Sequence, residues 1–243
     1  MNNENNESKI TVFLDFDGVL FDTLKEAYVL CRNVCWGIGI FADIEDDIYE
    51  RFYRYKFLVF NSWQYFYLMK TLQKTDYNTS DDDFISLYKS YISNRIRDEE
   101  DVFEKKYMEQ RKWLIDNYSE YVDKLEEKFP IFDKIMTLKQ DSRFDLMILS
   151  RKNSFAIKRK GVDIKIIGKE ELINVVNKSE FIEKYMREHN VTKAYFVDDN
   201  SHNLEPCAFI KGLRCLLAGW GNCGIDEKGL TQDEVLNIIV NKY

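Results

Sequence analysis

What this chain has little of narrows the possibilities early. Among 243 residues there are only 2 Pro and 10 Gly. That is too few for collagen, a Pro-rich linker or a β-sandwich built on many tight turns. No run of 18 apolar residues occurs, which argues against a membrane-spanning helix. Basic residues are not in excess. Lys plus Arg number 35 against 42 Asp plus Glu, a formal net charge of -7, so no global electrostatic grip on nucleic acid is expected. Histidine is limited to His189 and His202. The 5 cysteines (Cys31, Cys35, Cys207, Cys215 and Cys223) are odd in number and contain no CxxC pair. Cys31 and Cys35 share a helical face without a nearby His and read as packing. All five read as the reduced thiols of a cytoplasmic protein. Residues Met1 to Lys9 are polar and Asn-rich, lack the basic-then-apolar order of a signal peptide, and read as a frayed leader.

What remains is a globular composition, 45% apolar and 32% charged, in a chain long enough for one large domain or two small ones. Five short apolar runs stand out: Ile10–Leu14, Leu146–Leu149, Ile164–Ile167 ended by Gly168, Ala194–Val197, and Leu213–Leu217. The first reads as a strand buried on both faces. Helical patterns separate the later runs. Buried runs alternating with helices imply parallel strands joined by right-handed crossovers, an α/β core.

One interval breaks the rhythm. About 130 residues separate the first run from the second, far more than one crossover helix needs. Their pattern is helical. Thr23-Leu24-Lys25-Glu26 reads as a capping box. From Asp101 to Lys128, Val102, Tyr107, Trp113, Tyr118 and Val122 recur at roughly helical spacing, and Pro130 is expected to end that helix near Phe129. The expectation is an all-helical domain over residues 24–127 inserted into a Rossmann-like core made of 1–23 and 128–243. Ten aromatics crowd Tyr49 to Tyr67 and read as that insert's core, with an aromatic substrate-stacking surface as the sharper alternative. Arg51, Arg54 and Lys56 read as a solvated helix face, with substrate contact as their alternative.

The chemistry concentrates at strand ends. Asp15 and Asp17 follow directly on the first run, and Gly18 allows a tight turn away from it. Asp198 and Asp199 end the fourth. In α/β proteins the carboxyl ends of parallel strands are where ligands bind. Acids gathered there repel unless a cation compensates them, and Mg²⁺ suits an oxygen-only donor set better than zinc does. Ser150 ends the second run, where its hydroxyl and the following amide at Arg151 could hold a phosphate oxygen; otherwise it caps a helix. Lys178 opens a helical pattern 20 residues before Asp198 and could neutralise a phosphate. His202 reads as a surface-loop residue.

Together these segments resemble the haloacid dehalogenase-like superfamily, with Asp15-Phe16-Asp17-Gly18-Val19 as first motif, Ser150 as second, Lys178 as third and Asp198-Asp199 as fourth. Asn203 stands where some members place a further acid. The resemblance implies a Mg²⁺-dependent phosphatase acting on a small phosphorylated metabolite. Asp15 is then the nucleophile and Asp17 the general acid and base. Asp15, the Asp17 carbonyl, Asp198 and Asp199 hold the metal. Ser150, the Arg151 amide and Lys178 hold the phosphoryl group. It also implies that the insert is a cap, joined through a mobile turn at Val19 to Thr23, which sets specificity. Asp17 favours phosphoryl over carbon–halogen chemistry, because the dehalogenating members lack that acid. A phosphomutase would use the same residues, and a non-catalytic binding protein could share the fold. Neither substrate nor oligomeric state is legible.

Overall fold

The computed structural model describes residues 9–44, 47–172 and 177–241. Along the chain the strands and helices are β1 (Ile10–Leu14), β2 (Phe21–Asp22), α1 (Leu24–Trp36), α2 (Asp47–Tyr55), α3 (Gln64–Lys74), α4 (Asp81–Ser93), α5 (Arg97–Asn117), α6 (Ser119–Leu125), β3 (Glu127–Lys128), α7 (Ile131–Leu138), β4 (Phe144–Leu149), α8 (Ser154–Lys158), β5 (Lys165–Ile167), α9 (Lys178–Glu188), β6 (Ala194–Asp198), α10 (Ser201–Leu204), β7 (Leu213–Leu217) and α11 (Gln232–Asn241). They divide into two compact units, Met1–Asp22 with Lys128–Tyr243, and Thr23–Glu127. Among the described residues no helix is long and apolar enough to cross a membrane.

The first unit is a five-stranded sheet in the order β5-β4-β1-β6-β7, with every pairing parallel. The central strands β1, β4 and β6 are almost wholly buried because each is covered twice, whereas the edge strands β5 and β7 carry the exposed Lys165 and Arg214. Val12, Leu14, Leu146, Ile148, Tyr195 and Val197 face one layer with Ile131 and Ile135 of α7 and Val235 and Ile239 of α11. Their neighbours Phe13, Met147, Leu149 and Phe196 face the other layer, with Ile182, Tyr185 and Met186 of α9. The strand period of two sends alternate residues into two separate cores, and neither face can be polar. The chain winds outward from β1 to β4 and β5 on one side and to β6 and β7 on the other. The direction reverses between β1 and β6, the switch point at which sheets of this kind place ligands. β2 and β3 form a separate two-stranded sheet.

The second unit, α1 to α6, has its own core. Tyr28, Leu30, Phe52, Leu68, Phe84 and Leu114 are completely enclosed. Of the aromatic run, Phe52, Tyr55 and Tyr67 are buried, and Tyr49, Phe57, Trp63, Tyr65 and Phe66 pack partly against them. Tyr53 and Phe60 are exposed. The run is chiefly packing.

Four readings of this unit need correction. The Thr23 side chain makes no capping bond to α1, and Glu26 turns to Arg111 instead of back to the cap. The stripe from Val102 to Val122 is not one face: Val102, Trp113 and Tyr118 are exposed, whereas Phe103, Tyr107 and Leu114 are buried. The helix breaks at Tyr118, and α6 stops at Leu125 before β3, so Pro130 does not terminate it but begins α7. Arg51 is no solvated residue. It is buried, and its guanidinium donates to the Thr75 carbonyl at 2.9 Å beyond the end of α3.

Candidate active site

Asp15 stands one residue past β1, with its amide donating to the Val197 carbonyl of β6 at 2.9 Å. Its Oδ1 accepts the Phe16 amide at 2.7 Å. Its Oδ2 accepts the Lys178 ammonium at 2.8 Å. Lys178 is the first residue of α9, fixed there because the Asn177 side chain caps the helix by accepting the Glu180 amide. The same ammonium donates to Asp198 Oδ2 at 2.7 Å. Asp198 is the last residue of β6 and fully buried. So the adjacent ends of β1 and β6 put two carboxylates on one lysine.

Asp199 completes the cluster. Carboxylate oxygens of Asp15, Asp198 and Asp199 all lie within 4.8 Å of one another. Asp199 Oδ2 accepts the Asn222 amide at 2.8 Å and its side-chain nitrogen at 2.7 Å. The turn between Asp15 and β2 presses on this group. Gly18 has φ +78°, and a Cβ there would meet Asp199 Oδ2 at 1.8 Å. Glycine at 18 answers both a left-handed backbone and a space already filled by a carboxylate.

The electrostatics show strain. Burial, with Asp198 and Asp199 beside it, pushes the Asp15 carboxyl up to about 7 despite the pull of Lys178. Burial also works against the charged form of Lys178, but Asp15 and Asp198 more than offset it and raise the ammonium above its ordinary range. Three carboxylates gather about one ammonium, so acids are in excess within the cluster. Oxygen donors, close spacing and an excess of acids fit a hard divalent cation such as Mg²⁺, and the donor set contains no His or Cys to suit zinc.

The remaining expected residues divide. Ser150 follows β4, the neighbour of β1, and is buried; its Oγ accepts the Lys152 amide at 3.3 Å. It is no helix cap, since Asn153 caps α8. Arg151 is exposed in the same turn. Asp17 is not among the three clustered acids. Its Oδ1 instead accepts the Lys152 ammonium at 2.9 Å. Asn203 donates to both oxygens of Asp198, at 3.0 and 3.1 Å, so here it fastens an acid where a further acid would repel one. His202 is exposed and sits 3.6 Å from Glu205. Sequence reasoning missed Lys152 and Asn222. Lys152 has only its place two residues after Ser150 as a signal, and Asn222 had none.

No protein-family model matches the chain, and no curated protein matches it. Solved structures do. A predicted phosphoglycolate phosphatase from Haemophilus somnus 129pt superimposes with a TM-score of 0.59 at 11% identity, over 95% of this chain and 97% of that one. A predicted phosphatase from Clostridium acetobutylicum does so at 0.52 and 15%, over 90% and 88%. A protein assigned as a haloacid dehalogenase-like hydrolase from Bacteroides fragilis does so at 0.54 and 18%, over 90% and 91%. The chain has the haloacid dehalogenase-like fold, with an α-helical unit inserted after the first strand.

Proposed function

We propose that this protein is a Mg²⁺-dependent phosphatase that hydrolyses a small phosphate monoester through an aspartyl-phosphate. The observation that carries the reading is the buried arrangement in which Asp15 and Asp198 share the Lys178 ammonium at the switch point of the sheet. In the first step an Asp15 oxygen attacks phosphorus. The phosphorus–ester oxygen bond breaks, and the leaving oxygen takes its electron pair and a proton from Asp17. In the second, water attacks the phosphoryl group, gives its proton to Asp17, and releases Asp15 as a carboxylate and phosphate. Lys178, the Ser150 hydroxyl and the Arg151 amide hold the phosphoryl oxygens throughout, in keeping with a reaction that depends mainly on positioning and charge neutralisation. Asp15, the Asp17 carbonyl, Asp198 and Asp199 would hold Mg²⁺, which supplies positive charge to the transferring group.

In this reading residues 1–23 and 128–243 do the chemistry and the helical insert, 24–127, selects the ester. Phosphate release from a panel of esters, with and without Mg²⁺ and alongside Asp15→Asn, tests the proposal. Phosphoglycolate belongs in the panel because the Haemophilus structure is named for it. Metal-dependent release that vanishes in the variant supports it. Release that survives Asp15→Asn removes the nucleophile assignment. Conversion of one phosphate ester to an isomer, without free phosphate, makes the protein a mutase.

A further inference from the structure

Lys152 is a lysine where lysines seldom lie. Its side chain is 2% exposed, and the carboxylate it pairs with, Asp17, is 38% exposed. Taking an ammonium out of water is costly, and a half-exposed carboxylate offsets only part of that cost. A surface ion pair needs no such burial. The backbone also holds Lys152 rigidly. Its amide donates to Ser150 Oγ, and its carbonyl accepts the Lys169 amide at 3.0 Å. The ammonium also lies over the Phe16 ring, 5.3 Å from its centre. Lys152 therefore reaches Asp17 from a fixed point on the loop that also carries Ser150. Among the described residues Asp17 Oδ1 has this bond and Oδ2 has none.

We propose that Lys152 is a positioning residue: it anchors Asp17 by Oδ1 so that Oδ2 faces the ester and carries the proton to the departing oxygen. The inference rests on the phosphatase reading. It assigns to this chain a second lysine with a different task from Lys178. Lys178 ties the nucleophile to Asp198, whereas Lys152 holds Asp17.

A leaving-group comparison separates this role from plain structural support. An alkyl phosphate needs a proton on its departing oxygen; an aryl phosphate such as p-nitrophenyl phosphate leaves as a stable phenolate and does not. Lys152→Met should lower kcat on the alkyl ester about 100-fold, the usual worth of a positioned acid, and on the aryl ester less than about 3-fold. Asp17→Asn should show the same selectivity. The double variant should be no slower on the alkyl ester than Asp17→Asn alone, because both changes remove one function. Lys152→Gln is read in parallel in case the Met variant does not fold, and Lys152→Arg should recover most of the alkyl-ester rate. Equal losses on the two esters, or losses that multiply in the double variant, would overturn the inference and leave the phosphatase reading standing. A wild-type protein that releases phosphate from neither ester with Mg²⁺ present would overturn both.

Discussion

Both units of this protein bury charge, and they do so in opposite ways. In the helical insert the buried ions Glu26, Arg32 and Arg51 are held by an opposite charge or by neutral oxygens. Glu26 takes two parallel bonds from Arg111, at 2.8 and 2.9 Å. Arg32 donates to the Asp43 and Ala42 carbonyls at 2.6 and 2.9 Å, and Arg51 to Thr75. In the α/β core three carboxylates crowd one ammonium, and burial, with Asp198 and Asp199 beside it, pushes Asp15 far above its ordinary range. Evenly partnered charges hold helices together. An excess of acids about one ammonium suits a site that binds a cation. Burial alone does not distinguish function from architecture, but incomplete pairing does.

The sharpest way to break this comparison is to neutralise one charge in each unit. Asp15→Asn should cost about 10⁴-fold or more in phosphate release, the scale on which a lost nucleophile registers. It should not lower the melting temperature of the metal-free protein, because it removes a repulsive charge. Arg111→Ala should do the reverse. It strands Glu26, whose side chain is 3% exposed, and should destabilise the protein by about 3–5 kcal/mol in denaturant unfolding. Replacing both partners, Glu26→Leu with Arg111→Met, should recover most of that loss. If Asp15→Asn unfolds the protein, or if the double replacement is no better than Arg111→Ala, the division between functional and structural charge fails.

The two units also differ in how much of them the sequence reveals. The central strands were legible because burial on both faces forces apolar runs, as in Ile10–Leu14, and the edge strands because their runs are broken by a single charge, Lys165 or Arg214. The acids of the cluster were legible because nothing apolar explains Asp15, Asp198 and Asp199 at the ends of such runs. The insert resisted because its helices expose large aromatics. Trp113 and Tyr118 pack on each other at the surface, 5.1 Å between ring centres, and mimic a buried stripe. The partners within the site were harder still. Lys152 stands between Arg151 and Asn153 like any other basic residue of a loop, and only the fold takes it to Asp17. Asn222 lies 23 residues after the aspartate it holds, beyond any local pattern.

A smaller effect comes from pH and metal. Asp15 has an ordinary value of 3.8 and lies near 7 in the folded chain, so the folded state binds this proton more tightly than the unfolded one. Its contribution to stability is therefore full below about pH 4 and lost as pH rises to about 7. Metal-free protein should lose stability across that window by thermal melting. Mg²⁺ binds the ionised acids, so it should restore more at pH 8 than at pH 5, and at a hundred times its pH 8 Kd the gain at pH 8 should be about 2.7 kcal/mol. The same addition should do nothing for Asp15→Asn with Asp198→Asn. An equal Mg²⁺ effect at both pH values would mean that the acids are not the binding site.

The smallest test lies wholly within the insert, between two helix starts that look alike in sequence. Thr23 precedes α1 and Ser80 precedes α4, each followed three residues later by an acid. Only Ser80 caps: its Oγ accepts the Asp83 amide at 3.2 Å and donates to the Asp83 carboxylate at 2.7 Å. Thr23 has a backbone angle of ψ 12° where a capping residue is extended, and its side chain makes no capping bond. Glu26 cannot return the favour because Arg111 holds it. Ser80→Ala should therefore cost about 1 kcal/mol and Thr23→Ala a few tenths at most. Denaturant midpoints resolve that gap. A Thr23→Ala loss as large as that of Ser80→Ala would restore the capping box at α1, and Glu26 would then have to serve both the cap and Arg111.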